Sequence, residues 1–209
     1  MTAADARPSE QAWIRPVTLA GRHVRLEPLT PAHAHDLHAG TPLDTFRYFT
    51  FGPEYHTEAA MRAFIERLIA DPGRLHFAVI DLASSRAVGS TSFYDIRPAH
   101  RGAEIGFTWY AECSRGTAVN PESKRLLLSH AFDTLSAERI AFRTDARNLR
   151  SRAALAKLGA TQEGIFRRHL IMPDGAWRDS VYFSILRDEW PAVRDALDAR
   201  LARSTEASP

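Results

Sequence analysis

The segment "ARNLRSRAALAKLGA", residues 146–160, starts as a polar turn and continues as a helical pattern. Asn148 follows the end of a predicted strand, and asparagine is a favoured residue just before a helix. Ser151 lies three residues further on, Lys157 lies near the helix end, and Gly159 terminates the helix. The segment therefore predicts a helix that begins directly after a strand and carries polar side chains at its start.

A second segment, "CSRGTAVNPESKRLLLSHAF" (residues 113–132), places small residues immediately before another helix. Gly116 and Ala118 are two positions apart, Asn120 is a predicted N-cap, and Pro121 suits a first turn. The backbone N–H groups at such a helix start are open to an anion. The spacing matches neither G-x-x-x-x-G-K-[ST] nor G-x-G-x-x-G. Taken alone, the loop is therefore either a phosphate cradle or a tight turn.

The remaining pattern predicts a mixed sheet covered by helices on both faces, which is an α/β (α+β) fold class. Because a single helix joins "AEIGFTWY" to "RIAFRTD", we expect those two strands to be parallel. The predicted strands are residues 22–29, 75–82, 86–96, 103–110, 139–145, 163–172 and 177–186. A short helix is predicted between Thr30, its N-cap, and Gly40, just past its end. A second is predicted between the cap Thr57 and the stop at Pro72-Gly73, and a last one at about residues 188–203.

Composition excludes several classes of protein. The chain has 209 residues, 44% hydrophobic and 25% charged, as in ordinary globular domains. A formal charge of +2 gives no reason to expect nucleic acid or an anionic membrane as a partner. No apolar run approaches a membrane span, and the N-terminal residues lack an apolar signal core. The single cysteine, Cys113, excludes an internal disulfide. We therefore expect a cytoplasmic protein.

The histidine-rich stretch "HAHDLH" raises the question of a metal site. His33 and His35 are two residues apart and so face different ways on a helix. No acidic or cysteine partner has convincing ligand spacing. We favour a solvated helix face over a metal site and expect no metal.

Together, the two quoted segments resemble the GNAT superfamily of acyl-CoA N-acyltransferases. The family's loop, Q/R-x-x-G-x-G/A, is matched at Gly116 and Ala118, although Cys113 stands at its first position. The later signature, N-x-x-S-x-x-x-x-x-K-x-G, is matched at Asn148, Ser151, Lys157 and Gly159. The chain looks most like the ribosomal-protein N-terminal acetyltransferase (RimJ/RimL-type) branch.

This resemblance implies a fold and a domain organisation. The expected sheet is mixed, mostly antiparallel and seven-stranded, with a V-shaped splay between the two central parallel strands. The expected domain covers residues 15–204, between flexible tails at residues 1–14 and 205–209.

The resemblance also implies acetyl-CoA as cosubstrate. Its pyrophosphate would lie on the loop and its pantetheine arm along the splayed strands. The implied cofactor-binding residues are Phe107, Thr108, Trp109, Tyr110, Arg115, Gly116, Thr117, Ala118, Val119, Asn120, Asn148, Ser151 and Lys157.

The implied mechanism is direct attack by an amine on the thioester, since orientation of the two substrates removes the need for an enzyme nucleophile. Ser151 is the candidate general acid for the thiolate, and a plain serine in the first helical turn is the alternative. Glu104 is the candidate base, although a surface carboxylate at a strand start would look the same. Tyr94 and His169 are further candidates for the base. Cys113 is interpreted as a small loop residue.

The acceptor is left open by the sequence. "TFRYFTFGPEYH", residues 45–56, is rich in aromatic residues that either line an acceptor pocket or pack helices on the sheet. The branch indicates a protein N-terminus, while a small amine or an antibiotic is an alternative acceptor. A non-catalytic acyl-CoA sensor is a further alternative. The resemblance is also compatible with a homodimer.

Overall fold

A single eight-stranded sheet organises the chain in the computed structural model, which describes residues 9–206. The strands are Leu19–Ala20 (β1), Val24–Pro28 (β2), Leu75–Asp81 (β3), Arg86–Arg97 (β4), Gly102–Tyr110 (β5), Arg139–Asp145 (β6), Thr161–Ile171 (β7) and Trp177–Leu186 (β8). Their spatial order is β1-β2-β3-β4-β5-β6-β8-β7. The expected count of seven is wrong because β1, only two residues long, pairs with β2 and carries too little pattern to be found in sequence.

Six α-helices connect or flank the strands of the described chain. They are Glu10–Ile14 (α1), Ala34–Gly40 (α2), Glu58–Ile69 (α3), Val119–Ser129 (α4), Leu149–Leu158 (α5) and Trp190–Glu206 (α6). A 3-10 turn at Pro31–His33 precedes α2, and a π-helical turn at His130–Thr134 extends α4.

Local capping chemistry is clearest at the ends of α3 and α5. The Thr57 hydroxyl accepts a hydrogen bond from the Ala60 N–H at 3.1 Å, as an N-cap should. Gly159 ends α5 in the left-handed conformation with φ of 92°. The predicted cap at Asn120 is wrong, because the N-cap is Ala118 and α4 begins at Val119, two residues earlier than a cap at Asn120 implies. Gly40, expected just past α2, is its last residue.

The parallel pair β5 and β6 separates after a short contact. Gly102 to Glu104 pair with Arg139 to Ala141, and no pairing of the two strands is present in the described chain beyond that point. Every other pair of neighbouring strands is antiparallel. The expected splay between two central parallel strands is therefore confirmed.

Two apolar clusters cover the two faces of the sheet. One joins strand residues such as Phe142 and Phe183 to Leu127 of α4 and Trp190 of α6. The other joins Trp109 to side chains of α2 and α3. We call these faces the α4 side and the α3 side. The splay opens between them.

A short helix lies within the segment that was expected to be an N-terminal tail. Helix α1 occupies Glu10–Ile14, and Trp13 is only 2% exposed within the cluster on the α4 side. Burial of an indole outweighs the cost of ordering so short a helix. Residues 1–8 and 207–209 lie outside the described residues, and the expected single domain over residues 15–204 stays a prediction.

Candidate active site

A cavity of about 380 Å³ runs through the splay. On the α4 side it is lined by the starts of α4 and α5, including Asn120 and Ser151. On the α3 side it is lined by the loop after α2, including Tyr48 and Phe49. Because the cavity connects both faces of the sheet, two ligands that enter from opposite faces would meet between β5 and β6.

A bulge in β5 shapes the mouth of this cavity. Phe107 has a positive φ of 48°, and the register between β4 and β5 shifts at the same place. The extra residue puts both Phe107 and Trp109 on the α3 side, whereas Thr108 points to the α4 side. The bulge therefore directs aromatic rings to one face and a hydroxyl to the other.

The loop before α4 has the features of an anion cradle. Gly116 has a φ of 81°, a conformation that side chains strongly disfavour, although open space surrounds its α-carbon. The backbone N–H groups of Gly116, Thr117 and Ala118 donate no hydrogen bond to any described residue. The N-terminus of α4 adds its partial positive charge. These features fit a bound pyrophosphate.

The start of α5 forms the second polar wall on the α4 side. The Asn148 Oδ1 accepts a hydrogen bond from the Ser151 N–H at 3.0 Å, which makes Asn148 the helix cap. The Ser151 hydroxyl has no hydrogen-bond partner among the described residues, and Ser151 lines the cavity. Asn148 thus orients the turn that presents the Ser151 hydroxyl to the cavity.

A buried lysine on α4 also lines the cavity. Lys124 is 8% exposed, and its Nζ donates to the Thr108 Oγ1 at 3.0 Å. The Thr91 hydroxyl lies 2.8 Å from the same Thr108 oxygen. Burial lowers the pKa of the Lys124 ammonium to about 7. Sequence reasoning missed this residue, because a lysine within a helix usually lies on the solvent face.

Glu104 does not line the cavity but lies behind two side chains that do. It is 4% exposed and pairs across the sheet with Tyr94, and its Oε2 lies 3.8 Å from the Arg143 Nε. Burial and the nearby Glu104 carboxylate raise the pKa of the Tyr94 hydroxyl above its usual range. Tyr94 is therefore protonated at neutral pH, so in this structure it can donate a proton but is a poor base.

Arg178 forms the floor of the cavity on the α3 side. It is 6% exposed, and it donates to the Ser180 Oγ at 3.1 Å and to the Tyr48 carbonyl at 3.2 Å. Burial lowers the pKa of its guanidinium, Arg143 lowers it further, and Asp145 opposes both effects. Like Arg143 on β6, Arg178 gave no signal in the sequence, since strand arginines are usually exposed.

His169 lies beside this floor but does not line the cavity. Its Nδ1 is 3.0 Å from the Ser180 Oγ, and its ring packs against Phe166 and Tyr182. Burial, and then the charges of Arg143 and Arg178, lower the pKa of the imidazole. A neutral imidazole is available as a base, although the ring is linked to the cavity-lining Arg178 only indirectly, through the Ser180 hydroxyl.

The structure brings most of the expected cofactor-binding residues together. Those that line the cavity are Phe107, Thr108, Trp109, Tyr110, Arg115, Gly116, Asn120, Asn148 and Ser151. Thr117, Ala118 and Val119 line an adjoining cavity of about 770 Å³ that shares Ser114 and Gly116 with the first. Lys157 lies on the exposed face of α5, away from both.

The histidine-rich stretch pairs with acids instead of forming a ligand cluster. His33 Nε2 lies 3.1 Å from Glu27 Oε1, and His35 Nδ1 lies 2.8 Å from Glu58 Oε2. Among residues 9–206, no group of three or more histidine, cysteine or acidic side chains could hold a metal ion. Within the same residues, no helix has both the length and the apolar character needed to cross a bilayer.

Comparison with known proteins decides the family. The Acetyltransferase (GNAT) domain family matches residues 23–161, which is most of the chain. The chain belongs to the GNAT acetyltransferase family. The enzyme is an acyltransferase, and acetyl-CoA is the general acetyl donor of this family. The expected family and fold class are thus confirmed.

Individual relatives agree with this assignment. The enzyme is 31% identical to the Bacillus subtilis protein named "Probable N-acetyltransferase YjcK" over 70% of this chain and 83% of that one. A GCN5-related N-acetyltransferase from Brucella melitensis is 32% identical with a TM-score of 0.84, covering 90% of this chain and 86% of the other. Mycobacterium smegmatis RimJ in complex with CoA-disulfide is 25% identical with a TM-score of 0.71, covering 90% and 96%. This likeness is consistent with the RimJ/RimL-type branch.

Proposed function

We propose that this enzyme transfers an acetyl group from acetyl-CoA to a primary amine by direct attack, without an acyl-enzyme intermediate. The observation that carries the proposal is the cavity through the splay, which opens on both faces of the sheet. The N–H groups of Gly116, Thr117 and Ala118 would hold the pyrophosphate on the α4 side. The unpaired edge of β5 beyond Glu104 would face the pantetheine arm.

The reaction forms a C–N bond to the acetyl carbonyl carbon and breaks its C–S bond. Positioning both reactants in the splay replaces a bimolecular encounter with an oriented one, which by itself accounts for several kcal/mol. We assign the proton for the departing thiolate to Ser151, whose hydroxyl lines the cavity without an internal partner. A backbone N–H of the bulged β5 segment would stabilise the developing negative charge on the carbonyl oxygen.

The amine must lose a proton, and Glu104 is our proposed base. Its Oε2 is buried without a hydrogen-bond partner among the described residues, so it has capacity to accept. Because Tyr94 and Arg143 lie between the carboxylate and the cavity, the proton would travel through a water molecule. His169 is the second proposed base, through its contact with Ser180.

A protein N-terminus is one proposed acceptor, supported by the likeness to RimJ. The aromatic side chains Tyr48 and Phe49 line the cavity on the side from which an acceptor would enter. Phe46 of the same aromatic segment instead packs in the core cluster on the α3 side. A small amine would use the same entrance. We also propose that the enzyme acts in the cytoplasm, which agrees with its likeness to bacterial N-acetyltransferases.

The test is release of free thiol from acetyl-CoA in the presence of a panel of peptides and small amines. Ser151→Ala is expected to lower kcat about 10-fold to 100-fold and to leave acetyl-CoA affinity nearly unchanged. Unchanged turnover in that variant would remove Ser151 from the mechanism. Tight CoA binding without turnover on any amine would instead identify a sensor.

A further inference from the structure

Arg178 is a buried arginine on the α3 side, and no acid among the described residues forms an ion pair with it. Arg178 is 6% exposed, and its two hydrogen bonds go to neutral oxygens, the Ser180 hydroxyl and the Tyr48 carbonyl. A buried cation is normally paired with an acid or a ligand, because loss of hydration is costly. Since Arg178 also lines the cavity, its guanidinium is available to an anion that enters there.

The acids near Arg178 are already engaged elsewhere. Asp145 accepts three hydrogen bonds from Arg147, two from its guanidinium and one from its backbone N–H, at 2.8–3.0 Å. Glu104 lies beside Arg143, which also donates to the Tyr182 hydroxyl at 3.1 Å. Asp145 and Glu104 each form an ion pair with another arginine, so neither acid is dedicated to the charge of Arg178.

We propose that the acceptor amine carries a carboxylate, and that Arg178 binds this carboxylate while the amine faces the splay. This inference rests on the proposed acetyl transfer. The guanidinium is planar and matches a carboxylate with two parallel hydrogen bonds. The phosphates of the acetyl donor would be held on the opposite face by the loop before α4, so they leave Arg178 free for the acceptor.

The rest of the acceptor side agrees with a compact, partly apolar molecule. Phe49 and Phe107 lie edge to face, with ring centroids 6.0 Å apart, and both line the cavity. A polycationic acceptor, such as an aminoglycoside or a polyamine, would meet the charges of Arg143 and Arg178 and be repelled. The same charges favour the neutral form of a bound amine, which is the form that attacks.

The experiment compares matched amines that differ in the carboxylate. L-phenylalanine, L-phenylalaninamide and phenethylamine share one ring and one amine, and only the first bears a carboxylate. Two tripeptide amides that begin with Glu or Gln test whether the carboxylate belongs to a peptide side chain. In one of the two sets, we expect kcat/KM to be about 10-fold to 100-fold higher for the member that bears the carboxylate. The set that shows this preference tells whether the acceptor's carboxylate belongs to a free amino acid or to a peptide side chain.

Arg178→Gln is the deciding variant. We expect it to abolish the preference for the carboxylate by raising KM for the carboxylate-bearing amine much more than KM for its partner without a carboxylate. Arg178→Lys should restore part of the preference, because it keeps the charge but not the planar pair of donors. Arg62→Gln, which removes an exposed arginine paired with Glu58 on α3, is the control and should retain the full preference.

Calorimetry on the CoA-bound protein separates this inference from the proposed function. If no amine is acetylated but L-phenylalanine binds in an Arg178-dependent manner, the carboxylate site stands and the proposed transfer fails. If amines are acetylated with no preference for a carboxylate, or if Arg178→Gln keeps the preference, the carboxylate site is wrong. Absence of both turnover and carboxylate binding would overturn both.

Discussion

The two sides of the splay are built in different ways. On the α4 side, the ligand-facing groups are mainly backbone donors and first-turn side chains, held by the loop at Gly116 and the cap at Asn148. On the α3 side, they are charged and aromatic side chains from separate strands and a loop, such as Arg143, Arg178 and Phe49. The first side depends on local backbone geometry and is suited to one common donor. The second depends on tertiary packing and can vary with the acceptor.

The largest expected effect is on the free energy of unfolding, and it concerns the contact that fixes α4 to the turn between β1 and β2. The Glu122 carboxylate accepts hydrogen bonds from the backbone N–H groups of Arg22, His23 and Val24 at 2.9, 2.6 and 2.7 Å. Glu122→Ala would leave these three donors without this partner in a partly buried turn. We expect unfolding free energy to fall by about 4 kcal/mol. Urea denaturation monitored by circular dichroism measures the loss.

Glu112→Ala is the matched control for this change. Glu112 lies in the same part of the chain, but its side chain is 65% exposed and pairs only with Arg115. We expect a loss of less than about 1 kcal/mol. Equal losses in the two variants would show that Glu122 does not fix α4 to the β1–β2 turn.

The second prediction breaks the anion cradle without touching the α3 side. Gly116→Val forces a β-branched residue to a φ of 81°, so the loop must relax and move its N–H donors. We expect acetyl-CoA affinity to fall about 100-fold, because several charge-assisted hydrogen bonds are lost together. Fluorescence or calorimetric titration with CoA measures this.

Gly175→Val provides an unusually close control for Gly116→Val. Gly175 has a φ of 80° and equally open space around its α-carbon, but it lies in the turn between β7 and β8. Both variants should lose similar stability, while only Gly116→Val should lose affinity. If Gly175→Val weakens CoA binding as much as Gly116→Val does, the loss of affinity comes from general backbone strain and not from the loop before α4.

The third prediction uses the buried lysine on the α4 side. The folded-state pKa of Lys124 is lowered from 10.5 to about 7, so the unfolded chain binds more protons between those values. Stability should therefore rise with pH in this window, by about 2–3 kcal/mol between pH 7 and pH 9 from this group. Lys124→Met should be more stable than the wild type at pH 6, and the difference should shrink by pH 9. Urea midpoints at both pH values measure it, and a difference that is constant with pH would contradict the burial of a charged lysine.

The contrast between the two sides also explains what the sequence could predict. Gly116, Asn148 and Ser151 were found because local motifs at fixed spacing report on backbone geometry. The order of elements predicted the parallel pairing of β5 and β6, and the family resemblance implied the splay between them. Arg143 and Arg178 were missed because they meet only when β6 and β8 pair. No spacing in the sequence records that contact. Sequence reasoning therefore found aromatic candidates for the acceptor side, such as Tyr48 and Phe49, but not its charged residues.

The smallest expected effect concerns Lys157, a residue of the family signature that lies away from the cavity. Lys157 matches the family signature, yet it lies on the exposed face of α5 and lines neither cavity. We expect Lys157→Gln to weaken acetyl-CoA binding less than about 3-fold, because an exposed lysine adds only screened, long-range attraction to phosphates. Titrations with CoA at 50 and 500 mM salt measure this, and the small loss should vanish at high salt. A loss above about 10-fold that persists at high salt would mean that the cosubstrate extends over α5 and contacts Lys157 directly. The α4 side would then include a charged side-chain contact, and its difference from the α3 side would be one of degree.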